Sequence, residues 1–304
     1  MKHVYQFLIA VALLVAVPAS VYAQQQKWQS MEGTSEGLTL VMDNNGLYGF
    51  IDEAGKVIIP CQWECAWLFS DGLAMVVNDD NKYGFIDKTG KVVIPYQWMH
   101  AYSFSEGMAR VRDDNGKWGF IDKTGKVVIP YQWSAVGDFS EGLASAWDDT
   151  KKDGFIDKTG TLIIPYTWQE ASRFSEGLAC VKNDDGKYGY INRTGALVIP
   201  CTWKWADEFS EGMASVEDDN GKIGFIDKTG KVVIPCTWES ALYFSEGLAS
   251  VMDSNWKTGY IDKTGKVVIP CKWQEAYPFY NGYAIVKDHK GKEHKIDKTG
   301  KVVK

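Results

Sequence analysis

The run Gly-Phe-Ile-Asp-Lys-Thr-Gly-Lys-Val-Val-Ile-Pro occurs unchanged at 84–95, 119–130 and 224–235. Altered copies begin at Gly49, Gly154, Gly189 and Gly259, and successive copies start 35 residues apart without insertion or deletion. A fixed period of this length means that one small supersecondary unit is copied along the chain. Such a unit is too small to bury its own apolar faces, so each copy must stack on its neighbours.

The unit Ser105 to Phe139 reads as three antiparallel strands. Gly107 to Arg112 alternates large apolar with small or polar residues, the period-two pattern of a half-buried strand. Asp113-Asp114-Asn115-Gly116 is a hairpin turn and Lys117 to Asp122 the second strand. Asp122-Lys123-Thr124-Gly125 forms a second turn, with Gly125 expected in the left-handed region. Lys126 to Pro130 is a short apolar third strand that Pro130 should end, having no amide hydrogen to donate. Tyr131 to Phe139 then crosses to the next unit and has room for one helical turn.

Recurring positions imply recurring jobs. The glycine of Tyr83-Gly84, Trp118-Gly119 and Tyr188-Gly189 sits on a strand, which fits close approach by another backbone or an aromatic ring. Eight tryptophans (Trp28, Trp63, Trp98, Trp133, Trp168, Trp203, Trp238, Trp273) share one slot. Phe69, Phe104, Phe139, Phe174, Phe209, Phe244 and Phe279 share another. These rings are the expected glue between units, each burying about 150–250 Å². Cys61, Cys201, Cys236 and Cys271 occupy a slot held elsewhere by Tyr96, Tyr131 and Tyr166, which points to a half-buried packing position and unpaired thiols. Cys236 and Cys271 could still bridge if adjacent units bring them together.

Tyr/Trp-Gly-Phe-Ile-Asp, followed by Thr-Gly-Lys-Val-Val-Ile-Pro and then Phe-Ser-Glu-Gly-Leu-Ala, resembles the WG (KWG) repeat family over nearly all of 24–304. The position before the glycine departs from that pattern: it is Trp only at Trp118 and otherwise Tyr48, Tyr83, Asp153, Tyr188, Ile223 or Thr258. The resemblance implies a bacterial repeat protein without a settled activity, of a kind presumed to mediate interactions.

Ahead of the repeats, Lys2 and His3 precede an apolar run from Phe7 to Val17, and Val21-Tyr22-Ala23 puts small residues where a signal peptidase reads. Residues 1–23 are therefore expected to be a secretory signal peptide. The remainder, 24–304, is expected to be one repeat domain. Its full units are 35–69, 70–104, 105–139, 140–174, 175–209, 210–244 and 245–279, with a partial unit made of 280–304 and 24–34. No second apolar run is long enough to span a bilayer, so an exported, periplasmic or extracellular protein is expected. Its content of 45% hydrophobic and 24% charged residues excludes a disordered chain. A net charge of −6 with interspersed lysines argues against nucleic acid as a partner.

Two rows of carboxylates raise the question of metal or substrate binding. Asp52, Asp87, Asp122, Asp157, Asp227, Asp262 and Asp297 share a slot, as do Glu36, Glu106, Glu141, Glu176, Glu211 and Glu246. A calcium loop needs several oxygens close together, and each slot supplies one per unit; the aspartates are read instead as turn formers. His289 and His294, near Asp288 and Glu293, are a weak metal motif without defined zinc spacing. No Ser-His-Asp arrangement, phosphate loop or HExxH is evident, so a non-enzyme without cofactor or metal is expected.

Function is then expected in what varies between units. First-strand and crossover residues differ from copy to copy, and the extra tryptophans Trp67, Trp147, Trp205 and Trp256, with Arg110 and Arg112, are the candidate contacts. The expected partner is a protein, with a glycan as the alternative. Two architectures compete. The span 24–304 is one residue longer than eight periods, which suits a closed eight-bladed propeller-like ring. Against this, Gln24 and Gln25 stand where Ile-Pro belongs, Thr34 replaces the Phe, and His294-Lys295 replaces Gly-Phe. Polar ends are how an open repeat array caps itself, so an open, curved, solenoid-like all-β array of about eight three-stranded units is the leading expectation.

Overall fold

The computed structural model describes residues 28–147 and 151–303. The proposed signal peptide and Gln24 and Gln25 lie outside the described residues. The chain divides into two compact units, 1–104 and 105–304, meeting at the repeat boundary before Ser105.

Every repeat contributes to a four-stranded antiparallel sheet, and the eight sheets follow one another in chain order. The fold is an eight-bladed β-propeller, and the expected open array of three-stranded units is corrected. The additional strand, first in the second to eighth blades, comes from the crossover. Ala135–Val136 is a two-residue strand that pairs with Leu143–Trp147 of the following repeat, with Ala135 opposite Trp147. The fourth blade is completed by Asp153–Asp157 and Leu162–Trp168. Blade boundaries are thus offset from repeat boundaries, and the crossover carries a strand where a helical turn had room. The last strand also runs further than expected: Val127–Trp133 passes through Pro130. It is an edge strand, where a residue without an amide hydrogen breaks no ladder.

The first and the last of the described blades are both four-stranded. The first blade has its own first strand, Ser30–Ser35, turning at Glu36-Gly37 into Leu38–Met42. Thr34 lies opposite Thr39, and their hydroxyls are 2.6 Å apart. The last blade has its own fourth strand, Val302–Val303, which reaches only Lys295 and Ile296. Among the described residues, this strand does not reach His294. Thr34 and Lys295 are thus paired within four-stranded sheets and are not the caps of an open array.

The conserved-looking slots are consumed by the frame. Glycines of the second slot meet the neighbouring strand directly: a Cβ on Gly119 would lie 2.6 Å from the Ile129 carbonyl oxygen, and one on Gly84 would lie 2.9 Å from both the Ile94 oxygen and the Tyr96 ring. The Phe slot is almost wholly buried and packs on the preceding blade, as in Phe120–Phe139 and Tyr190–Phe209, with centroids 4.8 Å apart. Ser175 Oγ donates to the Phe209 carbonyl at 2.7 Å and Ser210 Oγ to Phe244 at 2.8 Å, so the same bond recurs between successive blades.

Both carboxylate rows have structural partners. Asp122 Oδ1 accepts from the Thr124 amide, the Thr124 hydroxyl and the Lys126 amide, closing the turn before Gly125, whose φ is 82°. These bonds, the hydroxyl first, hold the Asp122 carboxyl below its ordinary range. In the other row, Glu176 accepts the Gly212 amide of the next blade at 3.0 Å and pairs with Lys228 at 2.9 Å. Glu106 does the same with Gly142 and Lys158, and Glu246 with Gly282 and Lys298.

The tyrosine/cysteine slot is half-buried, and all six cysteines are free thiols. Where it holds tyrosine it ties two blades: Trp133 Nε1 donates to the Tyr166 hydroxyl at 2.9 Å. Cys201 and Cys271 instead sit at the margin of inter-blade clusters. Replacing Cys201, Cys236 and Cys271 together by tyrosine is expected to leave a folded protein within about 1 kcal/mol of the parent, since a hydroxyl acceptor is gained at each seam as bulk is added. Urea unfolding checks this, and insoluble protein would contradict it.

Candidate functional site

The varying residues gather at one end of each blade. In the fifth blade Glu170, Lys182, Tyr188 and Trp203 lie opposite one another across the four strands. The equivalent row is Cys65, Val77, Tyr83, Trp98 in the second blade and Ala135, Trp147, Asp153, Trp168 in the fourth. It is Trp205, Glu217, Ile223, Trp238 in the sixth and Ser240, Met252, Thr258, Trp273 in the seventh. Three members vary freely while the fourth is always tryptophan. Register does this: a period-two strand fixes which residues stand side by side, and the constant glycine next along fixes the bulge.

All six sequence-named contacts lie at or beside these rows. Trp147 and Trp205 are row members and Trp67 is two residues from one; they are 38%, 38% and 36% exposed. Trp256 is 65% exposed, in the hairpin that joins Met252 to Thr258. It occupies the turn position that is Gly116, Gly186 or Gly221 elsewhere, at φ 58°, a backbone conformation costing a bulky residue about 1–2 kcal/mol. The two arginines are already engaged. Arg110 donates to the Val136 carbonyl at 2.7 Å and to Asp138 at 2.8 Å, stitching the third blade to the fourth. Arg112 donates to the Gly116 carbonyl at 3.0 Å, and both guanidiniums lie within 6 Å of the Trp118 ring centre, at 5.8 and 5.9 Å.

Within the unit 1–104, Trp67, Tyr83 and His100 form a file of rings, with centroid spacings of 5.7 and 6.4 Å. Exposed Met99 and Tyr102 adjoin it in sequence.

The fifth and sixth blades enclose a cavity of about 260 Å³, lined chiefly by Glu170, Cys180, Tyr188, Trp205, Asp207 and Glu208. Sequence reasoning had singled out only Trp205 among them. Glu170 accepts from Lys182 and from the Tyr188 hydroxyl, both at 2.8 Å; burial opposes its ionisation, but these partners keep it below its ordinary range. Glu208 pairs with Arg173 at 2.9 Å. Asp207 Oδ1 accepts the Glu208 amide at 2.8 Å, and burial raises its carboxyl above the ordinary range. Cys180 is buried, with Sγ 3.5 Å from the Ala206 carbonyl, and burial pushes its thiol up, away from a reactive thiolate.

Asp153 takes the slot that is Trp118 or Tyr188 in neighbouring blades. It is 2% exposed, and its Oδ2 accepts the Ala171 amide at 2.6 Å. Oδ1 has no partner among the described residues, and burial, with Glu170 adding repulsion, lifts the carboxyl to about 7. His294, the weak metal candidate, bonds Asp288 at 2.9 Å and lies against Trp273; among the described residues no group of three or more His, Cys, Asp or Glu is placed to hold a metal.

No helix among the described residues is long and apolar enough to cross a membrane. Among solved structures, a eukaryotic initiation factor is similar at a TM-score of 0.65 and 11% identity, covering 91% of this chain and 87% of that one. The computationally designed Ika8 protein is similar at a TM-score of 0.53 and 12% identity, covering 88% and 95%. At such identities the likeness concerns the fold alone. No curated protein matches the sequence. The family model described as "WG containing repeat" matches 48–83, 83–118, 118–146, 154–188, 188–222, 223–255 and 259–292. With the repeat matched along most of its length, this chain belongs to the WG-repeat family.

Proposed function

We propose that the chain is an exported, non-enzymatic scaffold that binds a protein partner through the side chains that vary between blades. One observation carries the reading. Invariant residues are spent on turns and seams, whereas variable ones stand together at one end of every blade, with Trp67, Trp147 and Trp205 partly exposed among them. Tryptophan is the residue most enriched at binding hot spots, and a rigid repeat frame with variable side chains is a common recognition design. Removal of residues 1–23 on export is part of the proposal and rests on the signal-like sequence.

The test is affinity capture with immobilised 24–304 from the medium and envelope of the source cells. A defined protein should be retained, and Trp67→Ala with Trp205→Ala should reduce its recovery at least about tenfold, the size of one lost hot spot. Undiminished capture by the double variant would overturn the reading. The file of Trp67, Tyr83 and His100 favours a second reading, a platform on which sugar rings stack. Retention of a polysaccharide in place of a protein, lost in Trp67→Ala alone, would select it.

A further inference from the structure

We propose that the cavity between the fifth and sixth blades receives the cationic end of an arginine or lysine side chain. The proposal deepens the partner reading and rests on it for the source of that side chain. Charge is the first argument. Three carboxylates line the cavity, but the structure supplies two cations: Lys182 for Glu170 and Arg173 for Glu208. Asp207 has no ion pair of its own and feels only Arg173, which is bonded to Glu208. Its Oδ1 is taken by a backbone amide, and Oδ2 accepts no hydrogen bond from a described residue. A half-buried carboxylate whose nearest cation is already bonded to a neighbouring carboxylate is stabilised by a further cation that reaches it.

Shape is the second argument. Trp205 supplies an aromatic wall, a surface over which guanidinium and ammonium groups are held, while the Tyr188 ring beside it already carries Lys182 Nζ at 5.4 Å from its centre. Ser172, at a slot that holds Trp67, Tyr102, Gly137, Asp207, Leu242 or Tyr277 in other blades, is part of the lining. At about 260 Å³ the space is smaller than a typical pocket for a drug-sized molecule, and suits one side chain entering from outside. Position is the third. Glu170, Tyr188 and Trp205 are row members, so the cavity opens among the variable residues and not among the turn residues of the frame.

The test uses residues 24–304 and three peptides, Gly-Gly-Arg-Gly-Gly, its lysine counterpart and a neutral citrulline counterpart. Binding is followed by the shift of the Trp205 indole N–H resonance, assigned with Trp205→Phe. At least one cationic peptide is expected to bind with a Kd near 1 mM or tighter, and citrulline at least tenfold more weakly. Asp207→Asn, which keeps the side-chain shape, should weaken cation binding at least tenfold, and Ser172→Tyr should abolish it by filling the space. Equal binding of the citrulline peptide, no binding of either cation, or unchanged affinity in Asp207→Asn would each overturn the proposal. Cationic binding by a chain that captures no protein would leave the cavity assigned and sink the partner reading. Capture that persists in Asp207→Asn alongside failed peptide binding would do the reverse.

Discussion

Alanine at Gly189 is expected to cost this protein about 3 kcal/mol or more of stability, whereas alanine at Gly177 should cost only about 1–2 kcal/mol. The two glycines are needed for different reasons. Gly189 lies on the third strand of the fifth blade, opposite Val181. A Cβ there would sit 2.5 Å from the Ile199 carbonyl oxygen and 2.7 Å from the Cys201 amide nitrogen. Both are backbone atoms of the paired fourth strand, so relief requires pushing that strand away and loosening the bulge between Tyr188 and Tyr190. Close-packed interiors resist such shifts, and overpacking against backbone is felt more than overpacking against a flexible side chain. Gly177 has a φ of 86° and open space around its missing side chain. Alanine there meets left-handed strain alone, and the bond from its amide to Glu141 survives. Urea unfolding of the two variants compares them directly. A smaller loss at Gly189 than at Gly177 would mean that the fourth strand is not held against the glycine.

That contrast also separates what was legible in the sequence from what was not. Period-two alternation in Gly107–Arg112 and the turn chemistry of Asp113–Gly116 and Asp122–Gly125 are local signals, and the strands and turns they imply are present. The Phe slot as glue between units was also readable, because a constant aromatic in a unit too small for its own core has nowhere else to pack. The first strand of each blade was not. Two residues such as Ala135–Val136 are too short to carry a period, and the pairing partner lies in the next repeat. Nor was the role of the glutamates, whose partners are 36 and 52 residues away, as in Glu176 with Gly212 and Lys228. Polar residues at the ends pointed to an open array because Thr34 and His294 were judged as lost packing. In fact Thr34 pairs with Thr39 and His294 with Val286, each inside a four-stranded blade. The cavity was hidden for a related reason: Ser172 and Asp207 both line it, 35 residues apart in the sequence, and neither is unusual alone.

Replacing Asp153 by asparagine is expected to stabilise the protein at pH 8 by about 2–4 kcal/mol and to remove most of the pH dependence between about pH 4 and 7. The carboxyl is buried between row neighbours Trp147 and Trp168, with Oδ2 on the Ala171 amide and Oδ1 unpartnered among the described residues. Burial raises its pKa from 3.8 to about 7, the Ala171 bond pulls the other way, and the Glu170 charge adds to the rise. A raised carboxyl holds its proton more tightly folded than unfolded, so folding is favoured when the group is neutral. Below pH 3.8 both states are protonated and Asp153 makes no difference. Between 3.8 and about 7 the unfolded chain ionises first, and stability falls by up to about 1.4 kcal/mol per pH unit. Above pH 7 the loss is complete and constant. Asparagine keeps the acceptor for Ala171 and never ionises, so it lacks this decline. Urea unfolding of parent and Asp153→Asn at pH 5 and pH 8 measures the difference between them. The gap should be near 1–2 kcal/mol at pH 5 and widest at pH 8. A gap that does not grow with pH would show that Asp153 ionises at its ordinary pKa and that some cation, absent from its described surroundings, already stands beside it.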